Sequence, residues 1–363
     1  MEKAKQCIKF LDSCPEPFHV VKTVILKLNN AGFLPIDEST LWKQGNKLQK
    51  GGKYYFTRNG SSIVAFTIGE LYKPGNGFKV IGAHTDSPNL KLKPNSMKSS
   101  SGIIQLNVEC YGGGLWHTWF DRDLSIAGRV ILRSNDNTVN SKLLKIDRSI
   151  LRIPNLCIHL LSASEREAFT VNKENHLMPI LCNEVKNILG VEKKESSSPI
   201  DQLNPTNDTT NNESINNNEQ KVQEGSMYDD KWRSGQQPEL LQLIAEELQC
   251  NVTDIVDFEL SLYDTQGAAL SGSRSEFLCS SRLDNLASCF TAVEALHTHA
   301  SNHLVDDEDV SVVALFDHEE VGSDSYSGAG STLISDAIER ISYALAENNA
   351  QVNIELDKAA RQR

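Results

Sequence analysis

The chain has 363 residues, 39% hydrophobic and 23% charged, with a formal net charge of −12. That length and composition suit a globular protein of about two domains. The acidic balance argues against a nucleic-acid binder held by phosphate contacts, and no run of ~18 apolar residues offers a membrane-spanning helix. The N-terminus carries charges throughout and has no apolar core with a small-residue cleavage site, so no secretory signal is expected. Eight cysteines without a CxxC pair read as reduced thiols of a cytoplasmic protein.

Taken in chain order, the opening reads as helical. Ser13 stands three residues before Glu16, the spacing of a capping box, with Pro15 in the first turn. Helical apolar spacing then runs from Phe18 to the stop at Asn29-Asn30-Ala31-Gly32. KYYFT and SSIVAFTI flank Arg58-Asn59-Gly60, and Asn-Gly between apolar runs predicts a hairpin. A third strand, FKVIGAHTD, ends in polar residues.

From about residue 97 the texture is that of short β-segments: IIQLNVECYGGG, AGRVILRS and DFELSLYDT. Residues 97–266 are therefore expected to form a β-rich unit inserted into an α/β unit made of 1–96 and 267–363. Within the insertion, residues 191–238 have no periodicity. Seven of the fifteen residues from Asn204 to Asn218 are asparagine, a composition that cannot bury a core and predicts disorder. Beyond it, Leu286, Phe290, Val293 and Leu296 share one helical face. DVSVVALFD is an apolar run of the kind buried on both faces of a sheet, and another amphipathic helix starts near Ser331.

Three segments at predicted element ends carry metal-type ligands: Gly82-Ala83-His84-Thr85-Asp86, Ser281-Arg282-Leu283-Asp284 and Phe316-Asp317-His318-Glu319-Glu320. Strand C-terminal ends are where open α/β sheets place their sites. A His two residues before an Asp can ligate through one ring nitrogen while the carboxylate receives the other N–H, which fixes the tautomer. A lone Asp can bridge two zinc ions ~3.5–4 Å apart. Of two adjacent glutamates, one can bind metal and the other take a proton from water. Each motif alone is common in structural settings; three in one unit are not. Position 322 is Gly, so the segment at His318 is not HExxH. His297, His299 and His303 read as a solvated helix end. Asp306-Asp307-Glu308-Asp309 reads as an exposed acidic loop. Gly328-Ala329-Gly330 reads as a plain helix start, since a phosphate-binding GxGxxG lacks its third glycine.

Taken together, PEPFHVV, VIGAHTDSPNLKLKP, YGGGLWHTWFDRDLSIAGRV, IPNLCIHL, NHLMPIL, DFELSLYDTQ, SRLDNLASCF and FDHEEVGSDS resemble, in order, blocks of the M18 family of metallopeptidases. The resemblance implies an aminopeptidase that holds two zinc ions per subunit and removes N-terminal Asp or Glu from peptides. It implies a zinc-peptidase-like catalytic domain with an inserted β-rich dimerisation domain, self-associating as a dodecamer. It assigns His84 to one zinc, Glu320 to the other and Asp284 to both. Glu319 becomes the general base, Asp86 the group that orients His84, and His176 a residue reaching a neighbouring subunit's site. An Asp ligand and a His ligand of the family's C-terminal part have no counterpart, and no histidine follows His318. The sequence therefore predicts a catalytic domain truncated at its C-terminus, weakly held zinc and little activity for these 363 residues alone. Two alternatives remain at this level: a catalytically silent subunit acting only through oligomerisation, and a deacylase or carboxypeptidase of the wider co-catalytic zinc group. The tryptophan-rich block from Gly112 to Val130 disfavours the latter.

Overall fold

The computed structural model describes residues 1–42, 48–134, 136–184 and 231–346. The chain opens with two helices, α1 (Glu2–Ser13) and α2 (Pro17–Asn30). Their junction differs from the expected capping box. Ser13 ends α1, its hydroxyl donating to Lys9 O. Glu16 is the N-cap of α2, its buried carboxylate accepting the N–H groups of Phe18 and His19. Pro17, not Pro15, sits in the first turn, where a missing N–H costs nothing. A carboxylate at a helix N-terminus also faces the positive end of the macrodipole.

A five-stranded sheet follows, in the order β1 (Leu34–Pro35), β2 (Lys53–Arg58), β3 (Ser62–Ile68), β13 (Val310–Phe316), β4 (Phe78–His84). The β2–β3 hairpin turns through Asn59 and Gly60, both at positive φ. The apolar run 310–316 lies between β3, antiparallel, and β4, parallel. Its side chains alternate between two cores. Val313 and Leu315 join Ile63 and Ala65 against α1, α2 and α5 (Leu283–Asn302). Val310, Val312 and Ala314 join Val64, Phe66 and Ile68 against α6 (Leu333–Leu345). A period of two with both faces covered explains why this strand reads as continuously apolar. β4 is the other edge of the sheet, with Val80 and Ile81 about half exposed.

A second, six-stranded sheet runs β8 (Val139–Lys145), β7 (Leu124–Arg133), β10 (Ile255–Asp264), β5 (Asn89–Ser100), β6 (Ile103–Tyr111), β9 (Ile180–Asn183). α3 (Ala163–Glu167) lies in the connection before β9. The core of this sheet gathers Leu90, Leu106, Trp116, Ile126 and Leu260 under α4 (Pro238–Leu248). Its chain enters at Asn89 rather than at residue 97, because Leu90 and Leu92 already alternate inward between lysines. β11 (Ala269–Ser271) and β12 (Phe277–Cys279) form a separate small hairpin.

The expectation of disorder over 191–238 falls mostly outside the described residues; only 231–238 lie within them. There it is corrected: Trp232 packs edge-on against Phe258 at 5.3 Å, and buried Gln236 donates to Pro94 O at 2.6 Å. Pro238 already opens α4, whose Leu240 and Leu241 are core residues that fix this end of the segment.

The acidic loop 306–309 is also not simply solvated. Asp307 is 6% exposed and takes hydrogen bonds from Lys79 Nζ at 2.7 Å and from His299 Nε2 at 2.8 Å. Its carbonyl accepts Leu71 N–H, and a Cβ on Gly69 would stand 2.0 Å from that same oxygen. Docking of the 69–71 backbone buries the loop, a contact that composition does not reveal. His299 is therefore a partner of Asp307 rather than part of a solvated end. Burial pushes the Asp307 carboxyl up, but Lys79, Asp309 N–H and His299 outweigh it and hold it below its usual value. Its stabilising contribution is present above the unfolded aspartate value of ~3.9 and is lost as pH falls through the lower folded value. Asp307→Asn is expected to cost about 1–3 kcal/mol at pH 7. Urea unfolding should show the gap from wild type closing below pH ~4; an equal gap at pH 3 and 7 would contradict this.

Candidate metal centre

The parallel pairing of β4 with β13 places Phe316 opposite His84. Both strands end there, so the residues that follow each strand meet. Thr85 N–H donates to Phe316 O at 2.7 Å, continuing the pairing one residue further. His318 then turns the chain at φ 64° into a short 3-10 segment, Glu319–Val321. From the opposite side, Ser87 Oγ donates to Asp284 O at 2.8 Å and Cys289 Sγ to His84 O at 2.9 Å, pinning the start of α5 to the end of β4.

His84, Glu319 and Glu320 converge, with one ligand atom from each lying within 4.8 Å of the others. Asp284, 200 residues from His84 in the chain, places Oδ1 3.3 Å from His84 Nε2. Glu319 Oε2 stands 3.7 Å from the same nitrogen. The His84 ring is mostly buried, whereas Asp284 and Glu319 reach into solvent, with side chains 82% and 51% exposed. Among the described residues this is the one group of three or more such side chains close enough to hold a metal ion. His176 is not part of it. It lies on an exposed turn, stacked on Phe169 at 5.7 Å, its Nδ1 accepting Asn172 N–H.

Asp86 ties the group together from beneath and is 1% exposed. Its Oδ1 accepts Glu319 N–H at 3.2 Å, and its Oδ2 accepts Glu320 N–H at 3.1 Å and the Tyr111 hydroxyl at 2.7 Å. His84 Nδ1 lies 3.1 Å from Asp86 O and 3.4 Å from Asp86 Oδ1, so the backbone carbonyl is the nearer acceptor. Burial alone would raise the Asp86 carboxyl, but the donors from His84, Tyr111, Glu320 and Glu319 hold it below its usual value.

The electrostatics call for a cation. With Nδ1 turned to Asp86, Nε2 faces the carboxylates of Asp284 and Glu319. Burial opposes charge on His84, yet Asp86 and then Glu319 raise it to about 8. The Glu320 carboxyl is pushed up by burial and by Asp86, Glu319 and Asp284, with His84 pulling the other way. A proton or a metal ion at this point relieves the crowding of negative charge. One imidazole nitrogen and carboxylate oxygens are donors that suit zinc.

Sequence reasoning missed Tyr111, Ser87, Asn285 and Cys289. Asn285 Oδ1 accepts His84 N–H at 3.4 Å. Tyr111 begins the segment YGGGLWHTWFDRDLSIAGRV, but nothing in its spacing links it to Asp86. The paired glycines Gly328 and Gly330 serve packing, not a ligand: a Cβ on Gly328 would stand 2.1 Å from Ser323 O.

A sheet that brings a histidine and three carboxylates to adjoining strand ends has the form of a metallohydrolase centre. Residues 10–360 match the family model for aminopeptidase I zinc metalloprotease (M18), and the chain belongs to that family. It is 42% identical over 339 residues to a probable aspartyl aminopeptidase of Ricinus communis, covering 92% of this chain and 65% of the relative. It is 41% identical to the aspartyl aminopeptidase of Dictyostelium discoideum, covering 95% and 67%. The chain thus spans about two thirds of the length of these curated relatives. The cryo-EM structure of the Ape4 and Nbr1 complex aligns with a TM-score of 0.81 at 38% identity, covering 98% of this chain and 61% of that one. The structure of the S. cerevisiae mApe1 dodecamer aligns at 0.73 and 26%, covering 95% and 67%. The family match runs to residue 360 and gives no support to the expectation of a family domain cut short.

Removing the Asp86 carboxylate should loosen His84 and the Glu319–Glu320 turn together. Asp86→Ala is expected to weaken zinc binding ~10–100-fold, the range for groups that orient metal ligands. Competition with a chromophoric chelator measures it, and unchanged affinity would contradict the assignment.

Proposed function

We propose that the protein is a zinc-dependent aminopeptidase that removes N-terminal Asp or Glu from peptides. The observation that carries this reading is the convergence of His84, Glu319 and Glu320 within 4.8 Å, with Asp284 3.3 Å from His84. The names of the curated relatives support the acidic N-terminal preference. In this reading His84, through Nε2, and Glu320 would hold separate zinc ions and Asp284 would serve as a ligand to both. Zinc, when bound, supplies Lewis acidity that makes water easier to deprotonate near neutral pH. Asp86 keeps the His84 ring turned so that Nε2 points into the site. Glu319 is the exposed glutamate of the pair, and its Oε2 takes the proton of the attacking water and passes it to the departing amine. Glu320, half-buried and bonded through its N–H to Asp86, stays at the metal.

Self-association as a dodecamer is part of the proposal, supported by the dodecameric mApe1 neighbour and by the exposure of Leu156, Ile158 and Leu160. The second sheet would form the dimerisation domain, and exposed His176 would reach the site of an adjoining subunit. A cytoplasmic location is supported by eight cysteines that are all unpaired. No helix among the described residues is long and apolar enough to cross a membrane. A catalytically silent subunit has no observation in its favour.

With zinc supplied, Glu319→Gln is expected to keep its metal and lose turnover by ~10²–10⁴-fold, whereas Glu320→Gln loses metal. Metal analysis showing the reverse would exchange the two roles. On a peptide panel, N-terminal Asp and Glu peptides should be cleaved ahead of Ala peptides, and N-terminally blocked peptides should be spared. Cleavage of the blocked peptides would favour a carboxypeptidase instead.

A further inference from the structure

The metal-centre side chains come from the first sheet and its connections, with one exception among the contacts of Asp86. Tyr111 is the last residue of β6, in the second sheet. Strand register brings it there: Tyr111 pairs with Asn89, the first residue of β5, only three residues beyond Asp86. The chain thus leaves the metal centre and enters the second sheet directly opposite this tyrosine. A one-residue slip would turn the hydroxyl to the other face. The Tyr111 hydroxyl donates to Asp86 Oδ2 at 2.7 Å, while Lys91 Nζ sits 4.4 Å from the ring centre and pairs with Glu259 at 2.9 Å. Burial and the Asp86 charge both push the phenol well above its usual value, so it remains a donor. The next residue, Gly112, has φ +73°, and a Cβ there would stand 2.9 Å from Glu320 Cβ and 3.3 Å from Glu320 O. The end of β6 therefore touches the centre twice, at the carboxylate beneath it and against the backbone of Glu320.

We propose that Tyr111 and Gly112 are positioning residues of the metal centre, through which the second sheet sets zinc affinity: Tyr111 fixes Asp86, and Gly112 lets Glu320 lie against the strand end. The inference rests on the zinc reading above. Tyr111 would act through Asp86 on His84 and on the Glu319–Glu320 turn without touching zinc or substrate.

The test compares Tyr111→Phe with Tyr263→Phe. Tyr263 is a buried tyrosine of the same sheet whose hydroxyl donates to the Ile146 carbonyl at 2.7 Å. Each variant loses one tyrosine hydrogen bond of 2.7 Å, part-buried at Tyr111 and buried at Tyr263, so a merely structural role predicts an effect on zinc no larger in Tyr111→Phe than in Tyr263→Phe. Zinc affinity, measured by chelator competition on the purified protein, should fall ~10–100-fold in Tyr111→Phe and stay at the wild-type value in Tyr263→Phe. In the metal-free protein, amide exchange at Glu319 and Glu320 should quicken roughly tenfold in Tyr111→Phe alone, the scale of one lost charge-assisted hydrogen bond. Gly112→Ala should weaken zinc at least as much. Wild-type affinity and exchange in Tyr111→Phe, or equal effects in Tyr263→Phe, would overturn the proposal. If zinc fails to bind the wild type, the metal reading fails, and the exchange comparison decides the role of Tyr111 by itself.

Discussion

The candidate centre depends on one buried carboxylate. Asp86 sits at the point where the first sheet hands the chain to the second, and it accepts from two backbone N–H groups and a phenol while facing an imidazole. Burying a charge without partners would cost several kcal/mol, so Asp86 is tolerable only because these donors surround it. The donors in turn are fixed by it. The turn at Glu319 and Glu320 and the ring of His84 share one anchor, and their geometry is common to a single group rather than set by separate contacts.

Strand order brings those donors together. β13 enters the sheet between β3 and β4 although it starts at Val310, far along the chain from the end of β4 at His84. Parallel pairing with β4 makes His84 and Phe316 neighbours, and the residues just after Phe316 fall beside those just after His84. The alternation of Val310, Val312 and Ala314 with Val313 and Leu315 fixes that pairing, since each set fills a different core. A shifted register would misplace the centre as well as the core.

Much of this was legible in the sequence because it rests on local patterns. The Asn59-Gly60 turn, the doubly buried run at 310–316 and the three ligand-bearing segments each carry their signal within about ten residues. Contacts that depend on register or docking were not legible. The Tyr111 bond to Asp86 follows from pairing with Asn89, and the burial of Asp307 follows from docking of the 69–71 backbone. The N-cap at Glu16 was misread because Ser13 offers a commoner capping residue; only the helix break at Cys14 shows that it belongs to the preceding helix. The entry of the second sheet at Asn89 was hidden by lysines and serines that make a half-exposed strand look like a loop.

In the proposed centre, Nε2 of His84, rather than Nδ1, would face the metal, with the Asp284 carboxylate beside it and Glu320 left for a second ion. Anomalous diffraction at the zinc edge from zinc-soaked crystals of the protein tests this most directly. It should show a zinc peak ~2.0–2.2 Å from His84 Nε2 and from Asp284, with Asp86 outside bonding distance. Zinc bound to Asp86 itself, or found only at surface histidines such as His176 and His303, would contradict it.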